Sequence, residues 1–427
     1  MRRAAQSGCR CYLSDLRPSV STCRRRTRGA PLIVKFVDLK AQHDEVRTEL
    51  DSLWDRVLSN SEFIGGKLVS DFEREFAAFS GARHAIATGN GTDALELAMR
   101  AVDVGAGDVV ITVPNTFIAT AEAAIVLGAS IRFVDVDPIT RNMDPERFEM
   151  LLHEEFTRSD GEAPRERRSG RRLAAVIPVH LYGLPSPMER VQQIARDWGV
   201  PVIEDACQAH GASYRLSDGT WVPVGTNSKA ACFSFFPAKN LGGLGEAGAL
   251  VTDDDALASS ARILRDHGQS ERYLHVTHRG RNSRVDALQA GALSIKLRRL
   301  PVWNARRREA ASRYRDFLVD TAIAIPLEPD GYRHVYHLYV IEIDRRDAVR
   351  TALANAGIET GLHYPVPLHL QPAFTHLNLG RGSYPASEAL ASRGVSLPMH
   401  PHLRDEEVDR VAEALLEAVT ADTSVAR

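Results

Sequence analysis

The chain has 427 residues and a mass of 47.0 kDa, with 44% apolar and 25% charged side chains and a formal net charge of −2. This length is too great for one small core and favours two lobes. The composition is that of a soluble globular protein and gives no reason to predict a fibre, wholesale disorder or nucleic-acid binding. No run approaches the roughly 18 apolar residues that cross a bilayer, and the N-terminus lacks a secretory signal, so we expect a cytoplasmic protein without membrane contact.

Basic charge is concentrated at the N-terminus. Residues 1–30 contain eight arginines and one aspartate, and three of the five cysteines also lie there. We interpret residues 1–33 as a basic extension that is either disordered or lies upstream of the true start codon, with translation beginning near Val34. A transit peptide and a metal site are weaker alternatives, since the segment offers no fourth metal ligand. No metal site is predicted for the chain.

From Phe36 onward, short β-type runs alternate with helical segments. The predicted strands are His84–Ala87, Asp108–Val113, Ser130–Val134, Ala174–Val179, Pro201–Ile203, Ala231–Phe235 and Gly248–Thr252. A helix is predicted over Gly91–Val102, where apolar side chains recur at the spacing of one helical face. This alternation is typical of an α/β fold in which helices cover both faces of a mostly parallel sheet. Ligands of such sheets bind at the carboxyl ends of the strands.

The pattern divides the chain into a large domain, residues 34–297, and a smaller α+β domain, residues 298–427. The smaller domain is predicted to contain a helix over Trp303–Leu318, a strand around Tyr336–Ile343 and a closing amphipathic helix over Asp405–Val419. Within the large domain, residues 154–172 are dense in charge and contain Gly and Pro. We therefore predict a solvated surface loop there.

A lysine follows the β-type run that ends in Ser234. The segment FSFFPAKNLGGLGEAG presents Lys239 after a proline-containing turn and before a glycine-rich stretch. A primary amine at a strand end, partly shielded from water, can form and reverse an imine with an aldehyde cofactor. An isolated lysine of this kind is more often an ordinary solvated side chain, so the neighbouring motifs decide the interpretation.

Two carboxylates end the apolar strand of VPVIEDACQAHGA. Asp205 can face the pyridinium nitrogen of pyridoxal 5′-phosphate (PLP), where it would keep the ring protonated and able to accept electron density during transamination. Strand alternation turns Glu204 to the other side, where we expect a helix cap or a surface carboxylate. For a lone aspartate at a strand end, capping of the next helix is the competing interpretation.

The segment ATGNGTDALELAM predicts a strand, a turn of small residues and a helix that begins at Gly91. The free backbone N–H groups and the positive dipole end of that helix favour a phosphate, and the Thr92 hydroxyl can add a donor. Ser234 offers a second hydroxyl. A plain turn with an N-cap would use the same residues, so this segment alone is weak evidence.

Together these motifs resemble the DegT/DnrJ/EryC1/StrS group of sugar aminotransferases, within the aspartate-aminotransferase-like fold type I of PLP enzymes. The resemblance runs from about Phe36 to His402 and is carried by Ser234–Gly242, Glu204–Gly211 and Gly91–Leu95. The cofactor-binding residues that it implies are Gly91, Thr92, Phe117, Asp205, Gln208, Ser234, Lys239 and Asn282. In the small domain, GLHYPVPLHLQPAF is similar to a family signature, which implies that His363 and Tyr364 would contact substrate, and ordinary packing is the alternative for both residues.

The resemblance also implies individual roles. Lys239 would carry PLP as an imine, Asp205 would face the pyridine nitrogen and Gln208 would lie near the cofactor hydroxyl. Phe117, in PNTFIATAEA, would stack on the cofactor ring, although a core phenylalanine would look the same in the sequence. Asn282, in HRGRNSRVDALQAG, would reach the phosphate of a second subunit, which implies a homodimer with shared active sites.

One segment departs from the family pattern. Gly245-Glu246-Ala247-Gly248 stands where Gly-Asp-Gly-Gly is common, and an alanine at the third position would tighten the turn if positive φ were required. The departure bears on local geometry rather than on cofactor binding.

The activity that the resemblance implies is transfer of an amino group from an amino acid, expected to be glutamate, to a nucleotide-linked keto-deoxyhexose. Local segments such as His267–Gln269 are most similar to enzymes that act at C-3 of dTDP-linked sugars. A C-4 aminotransferase and a PLP-dependent sugar dehydratase are the alternatives. The best-known dehydratase replaces the lysine with histidine, whereas Lys239 is present here.

Overall fold

The computed structural model describes residues 33–159 and 161–425, and the chain from Ile33 onward forms one compact unit. The predicted basic extension therefore lies outside the described residues, except for its last residue. Within the described part, no helix is long and apolar enough to cross a membrane. The division into domains at residues 297 and 298 stays a prediction.

The described residues form the following elements. The helices are α1 (Leu39–Glu45), α2 (Arg47–Asn60), α3 (Gly66–Ser80), α4 (Gly91–Ala101), α5 (Ala119–Val126), α6 (Pro145–Glu155), α7 (Met188–Trp198), α8 (Asp255–Arg265), α9 (Ala287–Leu297), α10 (Leu300–Leu318), α11 (Arg346–Asn355), α12 (Pro385–Arg393) and α13 (Asp405–Val425). The strands are β1 (His84–Thr88), β2 (Val109–Thr112), β3 (Ser130–Phe133), β4 (Phe156–Thr157), β5 (Arg165–Glu166), β6 (Leu173–Val176), β7 (Ile203–Asp205), β8 (Ser213–Arg215), β9 (Trp221–Pro223), β10 (Ala230–Ser234), β11 (Gly248–Thr252), β12 (Gln269–Glu271), β13 (Leu274–His275), β14 (Tyr332–Arg333), β15 (Tyr339–Glu342) and β16 (Gly394–Leu397).

Two groups of strands build the central surface. One has the order β1-β11-β10-β7 and the other the order β3-β2-β6. Parallel bridges from Val176 to Val202 and from Val179 to Asp205 join the two groups between β6 and β7. All neighbouring pairs are parallel except those that β11 makes with β1 and β10. The predicted α/β fold with a mostly parallel sheet is therefore confirmed.

Helices cover both faces of this sheet because successive strand residues point in opposite directions. On β10, Cys232 packs in a core with residues of α4, α5 and α8, whereas Phe233 packs on the other face with residues of α3 and α9. A third cluster joins β2 and β6 to α6 and α7. Burial on both faces explains why these strands are continuous apolar runs in the sequence.

Strand β7 differs from its predicted range. The prediction ended the strand at Ile203, but the structure extends it through Asp205. The Asp205 N–H donates to Pro178 O at 2.9 Å, and the His180 N–H donates to Asp205 O at 3.0 Å. The two carboxylates therefore belong to the ladder itself, and their side chains are fixed by the strand.

The predicted solvated loop over residues 154–172 is wrong in part. Helix α6 extends to Glu155, and β4 and β5 then form a short antiparallel pair. Glu166 is only 3% exposed because it forms an ion pair with Arg132 of β3. Charge density in the sequence suggested solvation, whereas this acidic residue is buried by pairing.

Helix α10, β15, β16, α11 and α13 share a separate hydrophobic cluster, to which Val34 also contributes. The strand predicted around Tyr336–Ile343 is shorter than expected, since only Tyr339–Glu342 pairs with β16. The carbonyl groups of Tyr336 and His337 instead accept hydrogen bonds from buried Arg307. A side chain thus replaces the sheet partner at the start of this segment.

Candidate active site

A cavity of about 870 Å³ lies at the carboxyl ends of the parallel strands. Strands β7 and β10 end there at Asp205 and Ser234, and helix α4 begins there. The predicted site residues that line the cavity are Gly91, Thr92, Phe117, Asp205, Gln208, Ser234, Lys239, His363 and Tyr364. The other predicted residue, Asn282, is exposed and does not line the cavity of its own chain. The structure therefore brings together nine residues that are far apart in the sequence.

Lys239 is presented by a tight turn in which its N–H donates to Phe236 O at 2.8 Å. Burial lowers the pKa of the Lys239 amine, and the nearby Cys207 and Asp205 oppose that shift. Among the residues that the structure describes, none forms a hydrogen bond or ion pair with this amine. An amine whose charged form is disfavoured by its surroundings and that has no competing partner is suited to imine chemistry.

Asp205 has both carboxylate oxygens held in place. The Thr120 hydroxyl donates to Oδ2 at 2.7 Å, and the Cys207 N–H donates to Oδ1 at 3.1 Å. The side chain of Thr120 also hydrogen-bonds Thr116 at 2.8 Å. Asp205 is only 5% exposed and lines the same cavity as Lys239. A fixed carboxylate in this position is suited to a cationic ring nitrogen.

The neighbouring carboxylate was expected to be a helix cap or a surface group, and that expectation is wrong. Glu204 is fully buried, and its Oε2 accepts from His180 Nε2 at 2.8 Å and from the Gly225 N–H at 3.1 Å. Strand alternation does turn it away from the cavity, but the far side of β7 is covered by other elements. It is therefore a buried, hydrogen-bonded group.

The N-terminus of α4 forms another wall of the cavity. The Asn90 side chain caps the helix by accepting from the Asp93 N–H at 2.8 Å. A Cβ atom on Gly91 would lie 2.6 Å from Ser234 Cβ and 3.1 Å from Cys207 Sγ, so only glycine permits this approach. The first backbone N–H groups of α4 and the hydroxyls of Thr92 and Ser234 consequently converge on one region, as an anion site requires.

Gln208 connects two other cavity residues. Its Oε1 accepts from the Tyr182 N–H at 2.7 Å, and its Nε2 donates to the Tyr364 hydroxyl at 3.2 Å. The ring of Tyr364 lies 5.8 Å from that of Phe117, which is 54% exposed. Phe117 is therefore no core phenylalanine, and its ring is available at the cavity.

His363 also lines the cavity. Its Nδ1 is 2.8 Å from Ser396 Oγ, and its ring stacks on Phe36 with centroids 5.7 Å apart. Burial lowers the pKa of His363 to about 4, and the charge of Lys239 adds to that shift. This imidazole is consequently neutral at physiological pH.

Sequence reasoning missed several polar cavity residues, and His337 and Arg281 are two of them. Arg281 pairs with Asp93 at 2.9 Å and also with Glu96. Arg281 directly precedes Asn282 in the motif HRGRNSRVDALQAG, so its position in that motif could have identified it as a cavity residue. His337 precedes β15 and is distant in the sequence from every cofactor motif, so no local pattern places it in the cavity.

Ala247, which stands where glycine is common in the family, shows no backbone strain. Ala247 has no positive φ, unlike ten other non-glycine residues in the described part of the chain. Its methyl group is fully buried in the cluster that covers one face of the sheet. An alanine is thus compatible with this turn.

The residues present fit PLP. An uncommitted amine, an oriented carboxylate, an exposed aromatic ring and an anion-binding helix N-terminus line one cavity. These are the groups needed to hold an aldehyde, a ring nitrogen, a ring face and a phosphate.

Comparison with known proteins agrees with this geometry. The model of the DegT/DnrJ/EryC1/StrS aminotransferase family matches residues 44–416. The chain is 41% identical to the pleiotropic regulatory protein of Geobacillus stearothermophilus, over 90% of this chain and 98% of that protein. It is 39% identical to the dTDP-3-amino-3,4,6-trideoxy-alpha-D-glucose transaminase of Streptomyces venezuelae, over 90% and 96% of the two chains.

A solved structure is similar in three dimensions. The crystal structure of S. venezuelae DesV in complex with a ketimine intermediate superposes with a TM-score of 0.83 and 38% sequence identity, covering 90% of this chain and 98% of that one. Aminotransferases of the matched family use PLP. This chain therefore belongs to the DegT/DnrJ/EryC1/StrS aminotransferase family and is a PLP-dependent transaminase.

Proposed function

We propose that this enzyme transfers an amino group from L-glutamate to a nucleotide-linked keto-deoxyhexose, specifically a dTDP-linked 3-keto-6-deoxyhexose, in amino-sugar biosynthesis. The observation that carries the proposal is the cavity in which the Lys239 amine and the Asp205 carboxylate meet the N-terminus of α4. The similarity over 90% of the chain to aminotransferases that act at C-3 of nucleotide sugars supports the C-3 position.

The cofactor supplies an electron sink for the bond broken at the amino-bearing carbon. Lys239 would hold the cofactor before substrate arrives and would then move the proton between the substrate carbon and the cofactor. Its pKa is lowered by burial, which raises the fraction of neutral amine that can accept this proton. Asp205, oriented by Thr120, would keep the ring nitrogen protonated.

The remaining residues would position the cofactor. Gly91, Thr92 and Ser234 would bind its phosphate, Phe117 would cover its ring, and Gln208 would lie near its hydroxyl. His363 and Tyr364 would contact the substrate. Both line the same cavity as the cofactor-binding residues.

We propose further that the active enzyme is a cytoplasmic homodimer in which Asn282 serves the site of the other subunit. Asn282 is exposed and lies outside the cavity of its own chain. Phe117, Val126 and Phe236 line the cavity with exposed fractions of 54%, 61% and 49%. A second copy would cover these apolar side chains.

A complementation experiment tests the shared site. Lys239→Ala and Asn282→Ala homodimers are each expected to be inactive or nearly so. Random mixing of the two should restore about a quarter of the wild-type rate, since half of the dimers would then hold one intact site of two. No gain on mixing, with dimers confirmed by light scattering, would contradict the shared site.

A substrate panel tests the reaction. The purified enzyme with glutamate is offered dTDP- and UDP-linked 3-keto and 4-keto sugars, and mass spectrometry follows the replacement of oxygen by an amine. We expect conversion of dTDP-linked 3-keto-6-deoxyhexoses. Conversion of only 4-keto sugars would establish the C-4 alternative, and loss of a hydroxyl without gain of nitrogen would establish a dehydratase.

A further inference from the structure

His337 lines the cavity and has no role in the function proposed above. It lies just before β15 and is 9% exposed. A buried imidazole can donate or accept a hydrogen bond through either ring nitrogen, so its chemistry depends on which nitrogen carries the proton. The surrounding hydrogen bonds settle that question.

Two buried amides form a relay that ends at His337. Asn304 Nδ2 donates to His210 O at 2.8 Å, which leaves Asn304 Oδ1 as an acceptor. Asn240 Nδ2 donates to that Oδ1 at 2.9 Å and to Val335 O at 3.0 Å. Backbone carbonyl groups only accept hydrogen bonds, so the orientation of both amides is fixed.

The relay determines the tautomer of His337. Asn240 Oδ1 lies 3.2 Å from His337 Nδ1 and can only accept, so Nδ1 carries the proton. Burial lowers the pKa of His337 well below 6.5, and the charge of Lys239 adds to that shift, so the ring is neutral. Nε2 consequently holds a lone pair, and none of the described residues hydrogen-bonds to it.

The backbone of His337 is also fixed. Arg307 Nη1 donates to Tyr336 O at 3.2 Å and to His337 O at 3.3 Å. On the other side, the Val335 N–H donates to Gly183 O at 3.1 Å, and a Cβ on Gly183 would lie 3.1 Å from His337 N. The lone pair therefore keeps one position in the cavity wall, as a recognition group requires.

We propose that His337 is a specificity-determining residue whose Nε2 accepts a hydrogen bond from a hydroxyl group of the sugar substrate. This inference rests on the proposed function. The amine of glutamate is the reacting group and is committed to the cofactor, and its two carboxylates can only accept hydrogen bonds and gain nothing from a further acceptor. A sugar hydroxyl can donate, so the acceptor favours the sugar over the amino donor in a cavity that both must enter.

The reaction has two halves: glutamate gives its amino group to the cofactor, and the sugar then receives it. Measuring the two half-reactions separately distinguishes substrate recognition by His337 from a general structural role. His337→Phe removes the acceptor, and His337→Gln retains one in its amide oxygen. We expect His337→Phe to slow the sugar half-reaction about tenfold, the effect of one lost hydrogen bond, while the glutamate half-reaction stays near the wild-type rate. His337→Gln should recover most of the loss. Rapid-mixing absorbance measures both half-reactions, and thermal melting checks the fold.

Deoxygenated substrates identify the hydroxyl. Each hydroxyl of the best substrate from the panel is removed in turn, and we expect one deoxy sugar to lose about tenfold in kcat/KM with the wild type. The same deoxy sugar should show no penalty with His337→Phe. If every penalty persists in that variant, or if it slows both half-reactions equally, the proposal is wrong.

Two further outcomes remain informative. If His337→Phe fails to bind cofactor, Asn304→Leu provides a second test, because it removes the hydrogen bond that orients Asn240. We expect this variant to slow only the sugar half-reaction, and by less than about tenfold. An equal effect of Asn304→Leu on both half-reactions would overturn the proposal. If the wild type aminates no nucleotide sugar at all, the proposed function itself fails, which is distinct from turnover that ignores His337.

Discussion

Lys239 precedes a glycine-rich segment that Lys296 contacts, and the two lysines differ in their partners. Lys296 is fully buried and Lys239 is half-buried, and desolvation lowers the pKa of each amine. Lys296 Nζ donates to Gly242 O at 2.7 Å and lies 2.8 Å from His43 Nε2, whereas no described residue binds the Lys239 amine. Burial alone therefore does not make a reactive lysine. The reactive one has no competing partner and faces a cavity.

The largest expected effect comes from removing the amine of Lys239. Lys239→Ala should lower kcat about 1,000-fold or more, since it removes both the attachment point and the proton carrier. It should also abolish the yellow colour of the bound cofactor. Lys296→Met is the matched control, and it should keep the colour and most of the activity. Loss of colour in both variants would contradict the assignment of Lys239 alone as the lysine that holds the cofactor.

The pH dependence of stability sharpens the same comparison. Burial lowers the pKa of Lys296 to about 8 from 10.5, so below pH 8 the folded state carries a desolvated charge. Between these values the unfolded state binds more protons, and the free energy of unfolding should rise with pH by up to about 3 kcal/mol. Urea unfolding of Lys296→Met should lack this rise. Parallel slopes in both proteins would contradict it.

The wall that faces Lys239 should be sensitive to a single methyl group. Gly91→Ala places a Cβ 2.6 Å from Ser234 Cβ and 3.0 Å from Ser234 Cα, so α4 must move away from β10. Overpacking of this kind costs about 2 kcal/mol, and we expect the Kd for PLP to rise at least tenfold. Gly105→Ala is the control, because no atom lies within 4 Å of its added methyl. Equal affinities in the two variants would refute the tight approach.

A smaller effect on kcat is expected when one of the two hydrogen bonds to Asp205 is removed. Thr120→Val removes the hydroxyl that donates to Asp205 Oδ2 at 2.7 Å, while the Cys207 N–H remains. We expect kcat to fall about fivefold, equivalent to about 1 kcal/mol for one hydrogen bond. Thr120→Ser should restore it. Unchanged kinetics in Thr120→Val would mean that the backbone donor alone orients the carboxylate.

The part of the site that the sequence predicted consists of residues inside continuous motifs. Lys239, Asp205 and Gly91 each follow or end an apolar strand, and parallel strands bring such positions to one edge. His337 had no such signal, because its place depends on hydrogen bonds from Asn240 and Arg307 that connect distant parts of the chain.

The fold was predictable for a similar reason. Strands buried on both faces are apolar throughout, so the ends of the predicted strands lie within three residues of those in the structure. Errors arose where polar groups were buried by pairing. Glu204 lies inside β7, and Glu166 is covered by its ion pair with Arg132. Burial of a charge depends on a partner that the local sequence does not contain.

The antiparallel strand β11 has a consequence for the order of folding. Because β10 and β11 are neighbours in both sequence and space, the loop that carries Lys239 closes through local contacts, whereas β1 reaches β11 only after the intervening chain has been arranged. Contacts of short sequence separation form faster than distant ones. Hydrogen exchange measured during refolding should therefore show protected amides in the β10–β11 pair before the β1–β11 pair. The loop that carries Lys239 would then form before the N-terminus of α4 takes its place beside it.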